Sequence, residues 1–146
     1  MDQDVGAQHR VVVGVDGSPS SKRALRWALG QAASTGAVVE AVACWRPASM
    51  YEWAVHGQDS GHAEAAQKSL AAAVAEVIGA APAVEVRQST VTGNPAEVLV
   101  ERSRGADLLV VGHRGHGGFA GLRLGSVSHA CAQHAACPVV IVRDDS

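Results

Sequence analysis

The chain carries no excess of either charge: twelve Lys and Arg stand against fourteen Asp and Glu, for a net charge of −2. Basic residues this few and this scattered leave no electrostatic footprint for a nucleic-acid backbone or an anionic membrane surface. Neither partner is expected, and any phosphate bound here must be held by local geometry. Long apolar runs are also missing; none approaches the roughly 20 residues that cross a bilayer. The opening "MDQDVGAQH" lacks the basic start and apolar core of a signal peptide, so the expected location is the cytoplasm. Cysteine is scarce. Cys44, Cys131 and Cys137 are odd in number and irregularly spaced, which argues against a disulfide framework and agrees with small buried residues in a reducing compartment.

What is present fits one ordinary globular domain. The 146 residues are 47% hydrophobic and 18% charged, enough to build a core. Residues 1–9 read as a loosely ordered tail and 10–146 as the domain. Along the domain the hydrophobic period switches repeatedly between strand and helix. "RVVVGV" (10–15) is a first strand. In "SPSSKRALRWALGQAASTG", Ser18 is an N-cap, Pro19 the first helical residue and Gly36 the stop, with Ala24, Leu25, Ala28, Leu29 and Ala32 on one face. "AVVEAVACW" is a second strand. Residues 62–79 form a second helix with Leu70, Ala73, Val74, Val77 and Ile78 on one side. "AVEVRQSTV" alternates weakly as a third strand; Asn94, Pro95 and Glu97 then open a short third helix. "DLLVVG" is the fourth strand, and a helix from about Ser126 to His134 leads to the fifth, "PVVIV".

Strands alternating with helices predict an α/β fold, a single-domain open parallel five-stranded sheet with helices on both faces. The near-continuous apolar character of "VVVGV", "DLLVVG" and "PVVIV" suits strands buried on both sides. If the first three strands wind one way and the last two the other, the order is 3-2-1-4-5 and the ligand crevice lies outside the ends of strands one and four. That choice brings "DGS" (16–18) opposite the glycine-rich loop "GHRGHGGFAGLRLGS" (112–126).

The loop's chemistry points to phosphate. Gly112 and Gly115 allow sharp turns and close backbone approach, and Gly125 with Ser126 opens a helix whose first amides are unpaired and partly positive. Ser126 and Ser128 add hydroxyls, with helix capping as their more ordinary role. Arg114 and Arg123 can add charge, and the Asp16 carboxylate suits a sugar hydroxyl. A P-loop would need lysine after Gly125, where Ser126 stands. Gly115, Gly117 and Ala120 match the Rossmann spacing in the wrong place, after the fourth strand rather than the first. "HRGH" and "CAQHAAC" do not read as metal sites. No histidine and carboxylate form an evident triad with the serines.

With these residues in view, the chain resembles the universal stress protein family through "VVVGVDGSPSS", "TGNPAEVLVE" and "DLLVVGHRGHGGFAGLRLGSVSHACAQHAACPVVIVR". The family's ATP pattern is glycine, two residues, glycine, nine residues, then glycine and Ser or Thr. Gly112, Gly115, Gly125 and Ser126 match it. The resemblance implies an adenine nucleotide alpha hydrolase-like, Rossmann-like fold and the ATP-binding branch. It implies that Asp16, Gly17 and Ser18 meet the adenosine portion, that Val42 lines the adenine pocket, and that Gly112, Gly115, Gly125, Ser126 and Val127 wrap ribose and phosphates, with Mg2+ between phosphate oxygens. Arg114 belongs to the same expected site. His113 stands where many relatives have a smaller residue.

The resemblance further implies a homodimer through Val139, Val140, Ile141 and Val142. An apolar edge strand also calls for a cover, and on this reading proline at Val140 should give monomers. The implied role is a nucleotide-dependent stress-response module. The alternatives are a slow ATPase or self-phosphorylating switch, and a binder of cyclic AMP or another adenine nucleotide. Trp45, Tyr51 and Trp53 lie in a connection longer than a crossover needs, which reads as a lid over the nucleotide, a partner surface or a plain insertion.

Overall fold

Runs of β-branched residues alternate with alanine- and leucine-rich segments, and each run becomes a strand and each such segment a helix. The structure is a computed structural model and describes residues 8–46, 61–79, 83–113 and 125–143. In order, the elements are β1 (Arg10–Gly14), α1 (Pro19–Thr35), β2 (Val38–Trp45), α2 (His62–Ile78), β3 (Val86–Thr92), α3 (Pro95–Arg102), β4 (Leu108–Gly112), α4 (Ser126–His134) and β5 (Val139–Val142). The strands form one five-stranded sheet in the order β3-β2-β1-β4-β5. Every pairing is parallel, with Val11 opposite Val39 on one side and Leu108 on the other. The winding reverses between β1 and β4, as the sequence predicts.

Because side chains alternate across a strand, each buried strand feeds two cores. Val11, Val13, Val39, Ala41 and Val110 meet Ala24, Leu25, Ala28, Leu29 and Ala32 of α1 and Leu70, Ala73, Val74 and Val77 of α2. On the other face Val12, Val42, Leu109 and Val111 meet Leu99 of α3 and Cys131 of α4. Leu25 is fully buried, and truncating such a leucine to alanine costs about 2–5 kcal/mol. Among the described residues, no helix is long and apolar enough to cross a membrane.

Helix α1 starts where the sequence says it should: the Ser18 side chain accepts from the Ser21 N–H, Pro19 follows, and Gly36 closes the helix. The amino-terminal end of the sheet is pinned by charge. Glu40, on β2, takes one Arg10 nitrogen at 2.8 Å and pairs with Arg102 at the end of α3. The Arg10 guanidinium also donates to the carbonyls of Arg102 (3.2 Å) and Arg104 (3.0 Å), and its backbone N–H donates to Asp107 (2.7 Å). One arginine thereby ties β1, β2 and the α3–β4 turn together.

The two sheet edges differ. β3 is polar and carries exposed Arg87 and Gln88, a pattern that blunts an edge. β5 is Val-Val-Ile-Val, with all four residues only half-buried. The Leu109 N–H donates to Pro138 O at 3.0 Å, and Leu109 pairs with Val139. Parallel-ladder alternation then turns the Val140 N–H inward to β4 and the Ile141 N–H outward. Proline at Val140 would therefore break the sheet itself, so Ile141 is the position that tests edge pairing.

Candidate functional site

At the carboxyl end of β1, Asp16, Gly17 and Ser18 make a short polar turn. The Ser18 N–H donates to Asp16 Oδ1 at 2.9 Å, an Asx turn that needs the positive φ of Gly17, +84°. The Asp16 N–H donates to Ser21 Oγ (3.2 Å), the Ser21 N–H donates to Ser18 Oγ (3.1 Å), and Ser21 Oγ donates to Ser18 O (3.0 Å). Local bonds thus fix this turn onto the first turn of α1. Asp16 remains exposed and Ser18 is buried. A carboxylate has about four acceptor positions, so the Asx turn and a sugar hydroxyl can share it.

On the neighbouring strand, Gly112 ends β4 against α1. A Cβ there would lie 2.7 Å from the Ser20 carbonyl oxygen and 2.8 Å from its carbonyl carbon. Gly112 is therefore needed for helix packing. The close approach is also what brings the turn at 16–18 beside the end of β4.

His113 follows, and its carbonyl closes the neck of the glycine-rich segment. The Gly125 N–H donates to His113 O at 3.0 Å, and Ser128 Oγ donates to the same oxygen at 3.1 Å. Gly125 is the N-cap of α4, with φ −66° and ψ 164° and no side-chain cap. The capping expected of the serines is therefore corrected. Ser126 is the first helical residue, and the Ser128 hydroxyl turns back onto the carbonyls of His113 and Gly125. The first intrahelical bond runs from the His129 N–H to Gly125 O, so the amides of Ser126, Val127 and Ser128 precede the ladder. They form a partly positive end that suits an anion.

Most of the expected residues thus gather at the switch point: Asp16, Gly17 and Ser18 from β1, Gly112 from β4, and Gly125, Ser126 and Val127 from α4. Val42 lies near the end of β2. It is 1% exposed within the second core, and its carbonyl accepts the Val15 N–H at 2.8 Å. Arg114, Gly115, Gly117, Gly118, Gly121 and Arg123 lie outside the described residues, as do Tyr51 and Trp53. Sequence reasoning missed the neck at His113 and the role of Ser20. Ser128, three residues beyond Gly125, was the available signal for the neck.

The described residues gather no group of three or more His, Cys, Asp or Glu able to hold a metal ion. Cys131 is buried, and burial pushes its thiol up to about 11. Cys44 is also raised by burial, against the opposing pull of Arg102 and Arg46. Both cysteines pack in or against the second core.

The sequence profile of the Universal stress protein family matches residues 8–143. A universal stress protein of Mycobacterium tuberculosis is 39% identical over 134 residues, covering 91% of this chain and 45% of that protein. The chain therefore spans about half the length of such relatives. Among solved structures, a universal stress protein from Lactobacillus plantarum superposes with a TM-score of 0.79 at 19% identity, covering 94% of this chain and 99% of its own. A universal stress protein in complex with cAMP superposes with a TM-score of 0.70 at 34% identity, covering 92% and 96%. The strand order, the reversal of winding between β1 and β4 and these matches all agree, and the chain belongs to the universal stress protein family.

Proposed function

We propose that this chain binds ATP at the β1–β4 switch point and acts as a nucleotide-dependent stress-response module through binding and self-association rather than chemistry. The observation that carries the reading is the uncapped start of α4, anchored by the neck at His113 to the end of β4, the strand next to the one that leads into the Asp16 turn. There the amides of Ser126, Val127 and Ser128 donate to phosphate oxygens, and Asp16 accepts from a ribose hydroxyl. Gly17 and Ser18 keep that carboxylate oriented. Arg114 and Gly115 complete the proposed contacts by their position in the motif. With no acidic cluster gathered among the described residues, Mg2+ would arrive with the phosphates, which supply the hard oxygen ligands it prefers. Bound, it would neutralise phosphate charge, while the chain itself positions the nucleotide.

A second reading takes cyclic AMP as the ligand, favoured by the 34%-identical relative in complex with cAMP. Amide cradles recognise a phosphate without counting how many follow it. Calorimetry with ATP, ADP, AMP and cyclic AMP, each with and without magnesium, separates the readings. Tighter binding of Mg-ATP supports the first, a preference for cyclic AMP supports the second, and no binding of any adenine nucleotide defeats both. The half-buried β5 edge supports self-association of two copies of the chain.

A further inference from the structure

We infer that His113 is a direct ligand contact, its imidazole Nδ1 hydrogen-bonding the phosphate joined to the ribose. The inference rests on the adenine-nucleotide reading of the site and deepens it. His113 is 8% exposed, and among the described residues its Nδ1 is the one buried side-chain nitrogen or oxygen with no hydrogen-bond partner. Buried polar atoms are almost always satisfied, and the exceptions mark strain or a missing ligand. Packing alone gives no reason to keep a polar ring here, because an apolar side chain of similar size would fill the space without an orphan atom.

The place of the ring is set by the elements around it. Its own carbonyl is clamped by the Gly125 N–H and the Ser128 hydroxyl, so His113 sits at the first turn of α4. Along β4, Leu109 and Val111 face the α3 and α4 side, and continued alternation carries the His113 ring to that side as well. The ring is thereby placed on the side of the sheet that carries α4, whose open amides of Ser126 and Val127 start one hydrogen bond away from the His113 carbonyl. A phosphate there satisfies both at once, with Nδ1 as the donor of the imidazole. The phosphate next to the ribose is the group that ATP, AMP and cyclic AMP share, so the contact does not depend on which of them is preferred.

The test uses AMP and adenosine, which differ by that phosphate. His113→Leu should weaken AMP about tenfold to a hundredfold, as loss of a hydrogen bond to a charged group does, with little change for adenosine. The same variant should raise Tm, since it removes an orphan polar atom; a purely structural histidine predicts a lower Tm instead. His113→Asn, whose amide reaches the Nδ1 position, should recover most of the AMP affinity. In unmodified protein, 15N spectra of the imidazoles, with His113 assigned from the Asn variant, should show its Nδ1 resonance shifting as AMP is added. This decides the matter even where the Leu variant fails to fold. An unmoved Nδ1 at saturating AMP, or undiminished affinity in folded His113→Leu, overturns the contact alone. Failure of the unmodified protein to bind AMP overturns the nucleotide reading, and the contact falls with it.

Discussion

Replacing Gly112 with alanine drives a methyl group into the backbone of α1. The new Cβ meets the Ser20 carbonyl carbon and oxygen at 2.8 and 2.7 Å, and main chain cannot rotate away as a side chain does. Restoring ordinary contact requires α1 to retreat by roughly 0.6 Å, in an interior packed as densely as a crystal. Overpacking of this kind costs about 1–3 kcal/mol, or roughly 3–10 °C in Tm for a chain of this size. Gly14, one strand over, is the internal control. A Cβ there also comes within 2.7 Å of an atom, but that atom is Leu99 Cδ1, the end of a side chain that can change rotamer. Gly14→Ala should cost about 1 kcal/mol or less. Thermal denaturation of both variants, followed by circular dichroism, reads the difference. Equal losses, or a larger loss for Gly14→Ala, would refute the argument that backbone proximity sets the cost at Gly112. The retreat also moves the Ser18–Ser21 bonds that hold Asp16, so nucleotide affinity should fall with stability in Gly112→Ala.

Gly125→Ala should behave differently: φ of −66° suits any residue, so Tm should change by only ~1–2 °C, while calorimetry should show weakened ATP if the nucleotide approaches the α4 amides. Glu40→Ala strips the partner from Arg10 and Arg102 at the opposite end of the sheet and, with those arginines partly solvated, should cost about 2 kcal/mol; denaturant titration should show this with nucleotide affinity unchanged. Cys131, with its thiol near 11 and no exposed surface, should resist alkylation at pH 8 until the protein unfolds, whereas half-buried Cys44 and Cys137 react first in a timed iodoacetamide experiment read by mass spectrometry. Ile141→Pro removes an outward N–H while leaving the Val140 donor in place; sedimentation should show monomers, and an unchanged assembly would exclude pairing along β5.

Much of this frame is legible in the sequence because it depends on local period and short-range chemistry. "VVVGV" and "DLLVVG" are apolar at successive positions because both faces of the sheet are covered, and the helical face from Ala24 to Ala32 is the buried one observed. Ser18 and Asn94 cap because their side chains need reach only three residues ahead. What resists reading is contact across the chain. Gly112 looks like a loop glycine until Ser20, a residue from the first helix, is found against it. Membership of Val42 in the second core, with Leu99 and Cys131 from distant helices, is likewise a contact across the chain. The roles of Ser126 and Ser128 depended on where α4 begins, which a single residue decides. His113 is buried just beyond the end of β4, which no local pattern encodes.

The neck at His113 separates two kinds of heredity in this fold. One carbonyl receives both the Gly125 amide and the serine one turn later, so residues 113 and 125 stand side by side. An excursion with fixed, adjacent ends can change length at small entropic cost, about 0.6 kcal/mol per doubling, and it transmits little of that change to the strands. The frame and the segment can therefore drift, or be exchanged, independently: sheet, helices and neck constitute a socket, and the intervening residues an insert that another sequence could replace.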